Sequence, residues 1–322
     1  MKRKAKHAIK AKHAIEVENL TKRYGVLLAV NDISFNVRNG EVFALLGPNG
    51  AGKTTTVEII DTIRTPTSGK VRLLGMDVTK KKRKIVPRIG VLPQGFSSFD
   101  RLTVRETIQY YSRLFSSWNT DVDGLIELVN LKEKTTEQCK NLSGGLRQLL
   151  GIAVALVNDP EVVFLDEPTT GLDPRARRAV WEVLLGLKKK GKTVFLTTHY
   201  MEEAELLADR VAIISKGKII AMGSPDELIE SNANYLILTL KSVDERAFDI
   251  VRKMGFEPVH DNHNNITVRV EHTADVRKIL NAITDAGASS LSLDVHKPNL
   301  EEVFLKLTGE ALREGPAGGV AK

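Results

Sequence analysis

The segment "VFALLGPNGAGKTTT" at 42–56 constrains this chain more than any other. Its five apolar residues read as a strand buried on both faces, and the turn after them has the spacing G-x-x-x-x-G-K-T before a helical pattern. Gly47, Gly50 and Gly52 let the backbone turn tightly, so that N–H groups point inward at the positive end of the helix, where phosphate oxygens bind. Lys53 adds a full charge near the β- and γ-phosphates of a nucleotide, and the Thr54 hydroxyl can ligate Mg²⁺. Asn49, Ala51 and Thr55 belong to the same nucleotide-binding loop. By itself the loop fits a kinase, a GTPase or an ATPase.

A strand, phosphate loop and helix in this order belong to a layered α/β domain, and the chain up to about residue 230 continues the pattern. "AIEV", "ISFNV", "VFALLG", "KVRLLG", "RIGVL", "VVFLDE", "TVFLTT" and "RVAIIS" read as strands between helical patterns, which predicts a mainly parallel sheet. From Leu102 to Leu131 the pattern is helical only, which predicts an inserted helical subdomain over about 96–145. "AMGSPDELIESN" at 221–232 then leaves the sheet through Gly223 and Pro225. Beyond it the order is β-α-β-β-α-β: "YLILTL", "VDERAFDIVRKMG", "FEPVHD", "NITVRV" after an "HNN" turn, "TADVRKILNAITDAG" and "SLSLDVH". That order predicts a small ferredoxin-like α+β domain over 231–309, closed by the helix "NLEEVFLKLTG". It contains no cluster of catalytic type, so a regulatory or dimer-stabilising role is expected. Residues 310–322 read as a frayed tail.

Composition agrees with two domains, since 322 residues exceed what one core usually organises. The longest strongly apolar run, Leu149 to Val157, is far shorter than the roughly 20 residues of a membrane-spanning helix. The formal charge of +7 is concentrated in Lys2, Arg3, Lys4, Lys6, Lys10 and Lys12, so the body is close to neutral and nucleic acid is an unlikely partner. Residues 1–14, with the duplication "AKHAIK", "AKHAIE", read as a solvated arm whose alternative use is contact with anionic lipid headgroups. They lead into no apolar signal segment, and the lone Cys139 allows no internal disulfide; both fit the cytoplasm. "KKKRK" at 80–84 reads as a solvated helix face.

Two carboxylates end the strand "VVFLDEP". Asp166 is expected at the C-terminal sheet edge, beside the phosphate loop, where it would hold Mg²⁺ directly or through water. Glu167 is the natural general base for an attacking water. Gln94 after "RIGVLP" and His199 after "TVFLTT" end strands in the same way, within reach of a γ-phosphate or that water. Some ninety residues after the phosphate loop, "NLSGGLRQ" starts another helix, where Ser143 and the backbone of Gly144 and Gly145 make a second anion site.

Tyr24, "GPNGAGKTT", Gln94, "LSGG", "VVFLDEP", "GLDP" and His199 occur in the order and rough spacing of the nucleotide-binding subunits of ABC transporters, a resemblance covering about residues 15–230. It implies a P-loop ABC ATPase cassette: a mainly parallel sheet, an antiparallel β part and an inserted helical subdomain. Tyr24 resembles the aromatic that stacks on adenine, and Gln94 the residue linking Mg²⁺ to the membrane-facing subdomain. Glu167 matches the catalytic glutamate, His199 the switch histidine at the γ-phosphate, and Asp173 the aspartate at the dimer seam. The family signature reads L-S-G-G-Q, whereas here Leu146 replaces the Gln and Gln148 follows two positions later. In relatives the signature faces the ATP of a second subunit. The resemblance therefore implies ATP and Mg²⁺ at the interface of a homodimer or of paired ABC subunits.

Residues 232–309, with "PNLEEVFLKLTG", resemble the ATPase subunits of drug, lipid or polysaccharide exporters of the daunorubicin-resistance type. This implies a separate transmembrane permease subunit and peripheral association with the cytoplasmic face of the membrane. The competing class is a soluble ABC mechano-ATPase on ribosomes or DNA. It fits less well, because this chain carries one uninterrupted cassette and a nearly neutral body. A regulator that binds ATP without turnover is disfavoured, since Lys53, Asp166, Glu167 and His199 are all present.

Overall fold

The computed structural model describes residues 13–115, 120–233, 235–241, 245–260, 265–287 and 292–309. By its contacts the chain divides into two compact units, with the boundary along the chain between Pro225 and Asp226.

The first unit opens with a long antiparallel hairpin, β1 (His13–Tyr24) and β2 (Leu27–Arg38). β3 (Val42–Leu46) enters a second sheet, and the phosphate loop carries the chain into α1 (Lys53–Ile60). β4 (Ser68–Leu73) and β5 (Met76–Asp77) return to the first sheet, giving the antiparallel order β2-β1-β4-β5. The short α2 (Lys82–Ile85) exposes Lys82, Arg83 and Lys84 and leads to β6 (Ile89–Leu92). α3 (Val104–Leu114), α4 (Val122–Leu128) and α5 (Gly144–Ala155) follow without an intervening strand. Thr103 and Glu106 start α3 with a reciprocal capping box, each side chain bonding the other's backbone N–H. β7 (Val162–Asp166), α6 (Pro174–Lys189), β8 (Thr193–Thr198), α7 (Met201–Leu207), β9 (Arg210–Ser215) and β10 (Lys218–Gly223) complete the second sheet.

That sheet has the order β10-β9-β3-β8-β7-β6 and is parallel except for the β9–β10 hairpin. Every residue of β3, β7 and β8 is buried, which is why each is built on a continuous apolar run, Val42–Leu46, Val162–Leu165 and Val194–Leu196, rather than an alternating one. Phe43, Phe164 and Phe195 pack through the sheet with ring centroids 5.5 and 5.9 Å apart, and Phe35 of β2 stacks on Phe43 at 5.3 Å. Burying each such ring is worth about 1.5–3 kcal/mol. The aromatic contact joins the two sheets behind the phosphate loop.

Local readings differ from the structure at three places. β1 and β2 extend well beyond "AIEV" and "ISFNV", because register shifts, with Asn19 and Asp32 in left-handed conformation, break the alternation that marks a strand. His13 and Ala14, assigned to the arm, belong to β1, and Ala14 is fully buried. β10 runs to Gly223, although "AMG" read as part of an exit turn; it is an edge strand with half its residues exposed. The rest of the arm and the tail from 310 lie outside the described residues.

The second unit begins with α8 (Pro225–Asn232) and continues as β11 (Leu236–Lys241), α9 (Glu245–Lys253), β12 (Val259–His260), β13 (Ile266–Val270), α10 (Thr273–Asp285), β14 (Ser292–His296) and α11 (Leu300–Thr308). Its antiparallel sheet has the order β12-β13-β11-β14, so the first and third strands are central, as the split βαβ arrangement requires. Leu238, Leu240, Ile266 and Val268 pack on Ala247, Val251, Ile279 and Ile283 in a separate core. β12 holds only two residues of "FEPVHD". Among the described residues no helix is long and apolar enough to cross a membrane.

Candidate active site

The loop after β3 is shaped by three glycines for two different reasons. Gly50 and Gly52 have φ of 79° and 104°, and a Cβ on Gly52 would lie 2.4 Å from the carbonyl oxygen of Ala29. Gly47 is not left-handed; a Cβ there would lie 2.2 Å from the carbonyl oxygen of Ile214, so it serves the close approach of β3 and β9 rather than the turn. Lys53, Thr54 and Thr55 form the first turn of α1, where backbone N–H groups have no partner within the helix. The Lys53 ammonium is buried and held inside the loop, donating to the carbonyl oxygens of Gly47 at 2.8 Å and Pro48 at 3.1 Å.

Asp166 ends β7 with its carboxyl buried against β8. It accepts a short hydrogen bond from the Thr197 hydroxyl, and the Thr54 side chain is a second partner. Burial raises the Asp166 pKa, against those two hydrogen bonds. Thr54 and Gln94 line one cleft, and the desolvated Asp166 carboxyl bonds the Thr54 side chain from beside it; these side chains offer oxygen donors that fit a hard divalent cation such as Mg²⁺.

Glu167 adopts a left-handed backbone, φ 49°, which is uncommon outside glycine. Its N–H donates to the Thr197 carbonyl at 3.2 Å and to the Thr197 hydroxyl at 3.0 Å, and these bonds hold the turn. Glu167 Oε1 lies 3.0 Å from the Lys53 Nζ, and Oε2 accepts from the Thr170 hydroxyl at 2.9 Å. His199 Nδ1 lies 3.2 Å from Oε2, close in distance but not aligned as a hydrogen bond. Burial pushes the Glu167 pKa up, but His199, Lys53 and Thr170 outweigh it and hold the carboxyl at about 2.

Tyr24, Asn49, Gly50, Gly52, Lys53, Thr54, Thr55, Gln94 and Glu167 line one cleft of about 370 Å³. Tyr24 is at the tip of the first hairpin, with Lys22 Nζ and the Arg64 guanidinium 5.1 and 5.4 Å from its ring centroid. Ala51 is buried and supports the loop, its N–H donating to the Pro48 carbonyl. Reading of the sequence missed Thr197, which holds both carboxylate residues. The signal lay in "TVFLTT": Thr197 is a polar residue near the end of a buried strand, and it pairs in register with Asp166.

Ser143, Gly144, Gly145 and Asp173 lie outside this cleft. Ser143 caps α5 by accepting from the Leu146 N–H at 3.4 Å. Asp173 caps α6 by accepting from the N–H groups of Arg175 and Ala176 at 3.0 and 2.9 Å. Gly145 brings the two helix starts together, since a Cβ there would lie 2.5 Å from the Ala176 Cβ. Ser143, Gly144 and Asp173 are exposed at this paired start.

Residues 30–170 match the family model described as ABC transporter. The Nod factor export ATP-binding protein I of Ralstonia nicotianae (strain ATCC BAA-1114 / GMI1000) is 38% identical over 306 residues, covering 93% of this chain and 95% of that protein. The chain belongs to the ABC transporter ATP-binding family. The protein of the same name from Burkholderia orbicola (strain AU 1054) is 39% identical over 314 residues, covering 93% of this chain and 98% of that one. Among solved structures, a dimeric ATP-binding cassette in a post-hydrolysis state with ADP and Pi superposes with a TM-score of 0.60 at 25% identity, over 65% of this chain and 98% of that chain. This ABC ATPase binds and hydrolyses ATP, as its family does.

Proposed function

We propose that this ABC ATPase drives export through a separate transmembrane permease subunit, from the cytoplasmic face of the membrane. Two chains, identical or paired, close on two ATP molecules. The observation that carries this reading is the separation of the phosphate-loop cleft from the exposed, paired helix starts at Ser143 and Asp173, which lie outside it. A second chain could bring its signature helix to the first chain's nucleotide, completing the site. The curated relatives are named for export, which favours this reading over a mechano-ATPase on ribosomes or DNA.

Within one chain, Tyr24 would receive the adenine, and the phosphate loop with Lys53 the β- and γ-phosphates. Asp166, Thr54 and Gln94 would hold Mg²⁺, which offsets phosphate charge when bound. Lys53 pairs with Glu167, and a phosphate would compete for the same ammonium. Loss of that partner raises the proton affinity of Glu167, which makes it a better base as the substrate arrives. His199, 3.2 Å from the Glu167 carboxyl, would contact the γ-phosphate as well. The permease reads the transported molecule, of drug, lipid or polysaccharide class.

The test uses Lys53→Ala, which disables the phosphate loop, and Ser143→Arg, which blocks the signature helix. Each is expected to be inactive alone. Purified mixed dimers should trap ATP, because one of their two sites combines an intact loop with an intact signature. Verified mixed dimers that trap none would overturn the shared site.

A further inference from the structure

Glu203 is fully buried on α7, four residues beyond His199. Its Oε1 accepts from the Thr169 hydroxyl at 2.8 Å and from the Trp181 indole N–H at 3.0 Å. Those donors lie on different segments. Thr169, itself fully buried, stands two residues after Glu167, and Trp181 is on α6, the helix capped by Asp173. Arg177 of α6 lies over the Tyr200 ring at 4.3 Å, and Tyr200 packs on the His199 ring at 4.1 Å. The loop after Glu167, the helix after Asp173 and the segment after His199 are therefore joined at one carboxyl.

A buried carboxyl is an expensive way to fill space. Burial raises the Glu203 pKa, with the Thr198, Thr169 and Trp181 side chains and the Arg177 charge opposing. An apolar side chain of similar volume would avoid that desolvation. What it could not do is bond Thr169 and Trp181 together.

We infer that Glu203 is a positioning residue for ATP hydrolysis: by tying Thr169 and α6 to the segment that carries His199, it sets the approach of His199 to Glu167. The inference rests on the proposed roles of Glu167 and His199. Glu203 does not line the nucleotide cleft and acts only through these neighbours.

Steady-state ATP hydrolysis by the full chain tests it, with Glu203→Ala, Glu203→Gln and Thr169→Val. Glu203→Ala is expected to lower kcat by about 10- to 100-fold, the effect of misplacing catalytic groups, with the KM for ATP unchanged within about threefold. The KM should hold because Tyr24 and the phosphate loop lie on other elements. Glu203→Gln should restore most of kcat, since an amide oxygen can accept from both the Thr169 hydroxyl and the Trp181 indole N–H. Thr169→Val should reproduce part of the loss, less than additively with Glu203→Ala, and it provides the measurement if the alanine variant fails to fold. In a Trp118→Phe background, Trp181 emission should shift in Glu203→Ala and not in Glu203→Gln. A wild-type kcat in Thr169→Val or a folded Glu203→Ala, or a glutamine variant as poor as alanine, would overturn the inference. Glu167→Gln and His199→Ala, assayed in parallel, separate the two levels. If both retain hydrolysis, the underlying site reading fails and this inference with it; if both lose it while Glu203→Ala does not, only the inference fails.

Discussion

Glu167, the proposed general base, shows how its surroundings set the protonation of a single side chain. Its folded pKa of about 2 lies below the ordinary 4.5, so its ionisation stabilises the native state above that ordinary value and the benefit is lost as pH falls through about 2. At neutral pH the carboxylate is fully ionised and able to accept a proton. Glu167→Gln keeps the shape and removes the base; phosphate release should fall by at least about 100-fold while ATP stays bound in a stable dimer. Unchanged hydrolysis would remove Glu167 from that role. Its place was legible in the sequence, because four apolar residues before Asp166 imply a buried strand that ends at the sheet edge. Its left-handed backbone was not, because it is imposed by Thr197, thirty residues away along the chain.

The end of α1 illustrates the same dependence for an element. Asp61 caps the helix and bonds the Ile63 N–H at 3.0 Å, yet only 3% of it is exposed. Burial pushes its pKa from 3.8 up to about 7, against the Ile63 hydrogen bond, with Glu58 and Asp166 adding to the rise and Lys82 opposing it. A raised carboxyl pKa means the native state binds the proton more tightly than the unfolded chain does. Stability from this group therefore falls as pH rises from about 4 to about 7, and the burden of the buried charge is complete above that. Asp61→Asn should raise the unfolding free energy measured by urea titration at pH 8 by up to about 4 kcal/mol, with the gain shrinking towards zero at acid pH. A gain of equal size at both ends of the range would show that ionisation is not its source. The helix itself was legible from the phosphate loop before it, whereas the burial of Asp61 depends on residues packed around it in the folded chain.

At the scale of the whole molecule, the cleft residues all belong to the first unit, and the second has its own core. A chain ending near residue 224 should therefore still bind ATP, as measured by fluorescent nucleotide titration, while dimerisation or regulation changes. A folded truncation unable to bind nucleotide would contradict that division. The resemblance of the motif set to ABC nucleotide-binding subunits implied the ABC fold class; the α/β layering, the phosphate loop and the strand-end residues Gln94, Asp166, Glu167 and His199 were determined by the sequence itself. These depend on local spacing: apolar runs that must be buried, glycines that turn or allow close approach, and polar residues where strands end. Only the tertiary structure decided the extent of the first hairpin, whose irregular register hides its period, the binding of Asp166 and Glu167 by Thr197, and the junction at Glu203. Each of these is an interaction between segments distant in sequence, and the energy of a buried polar group depends on which partners the fold brings to it.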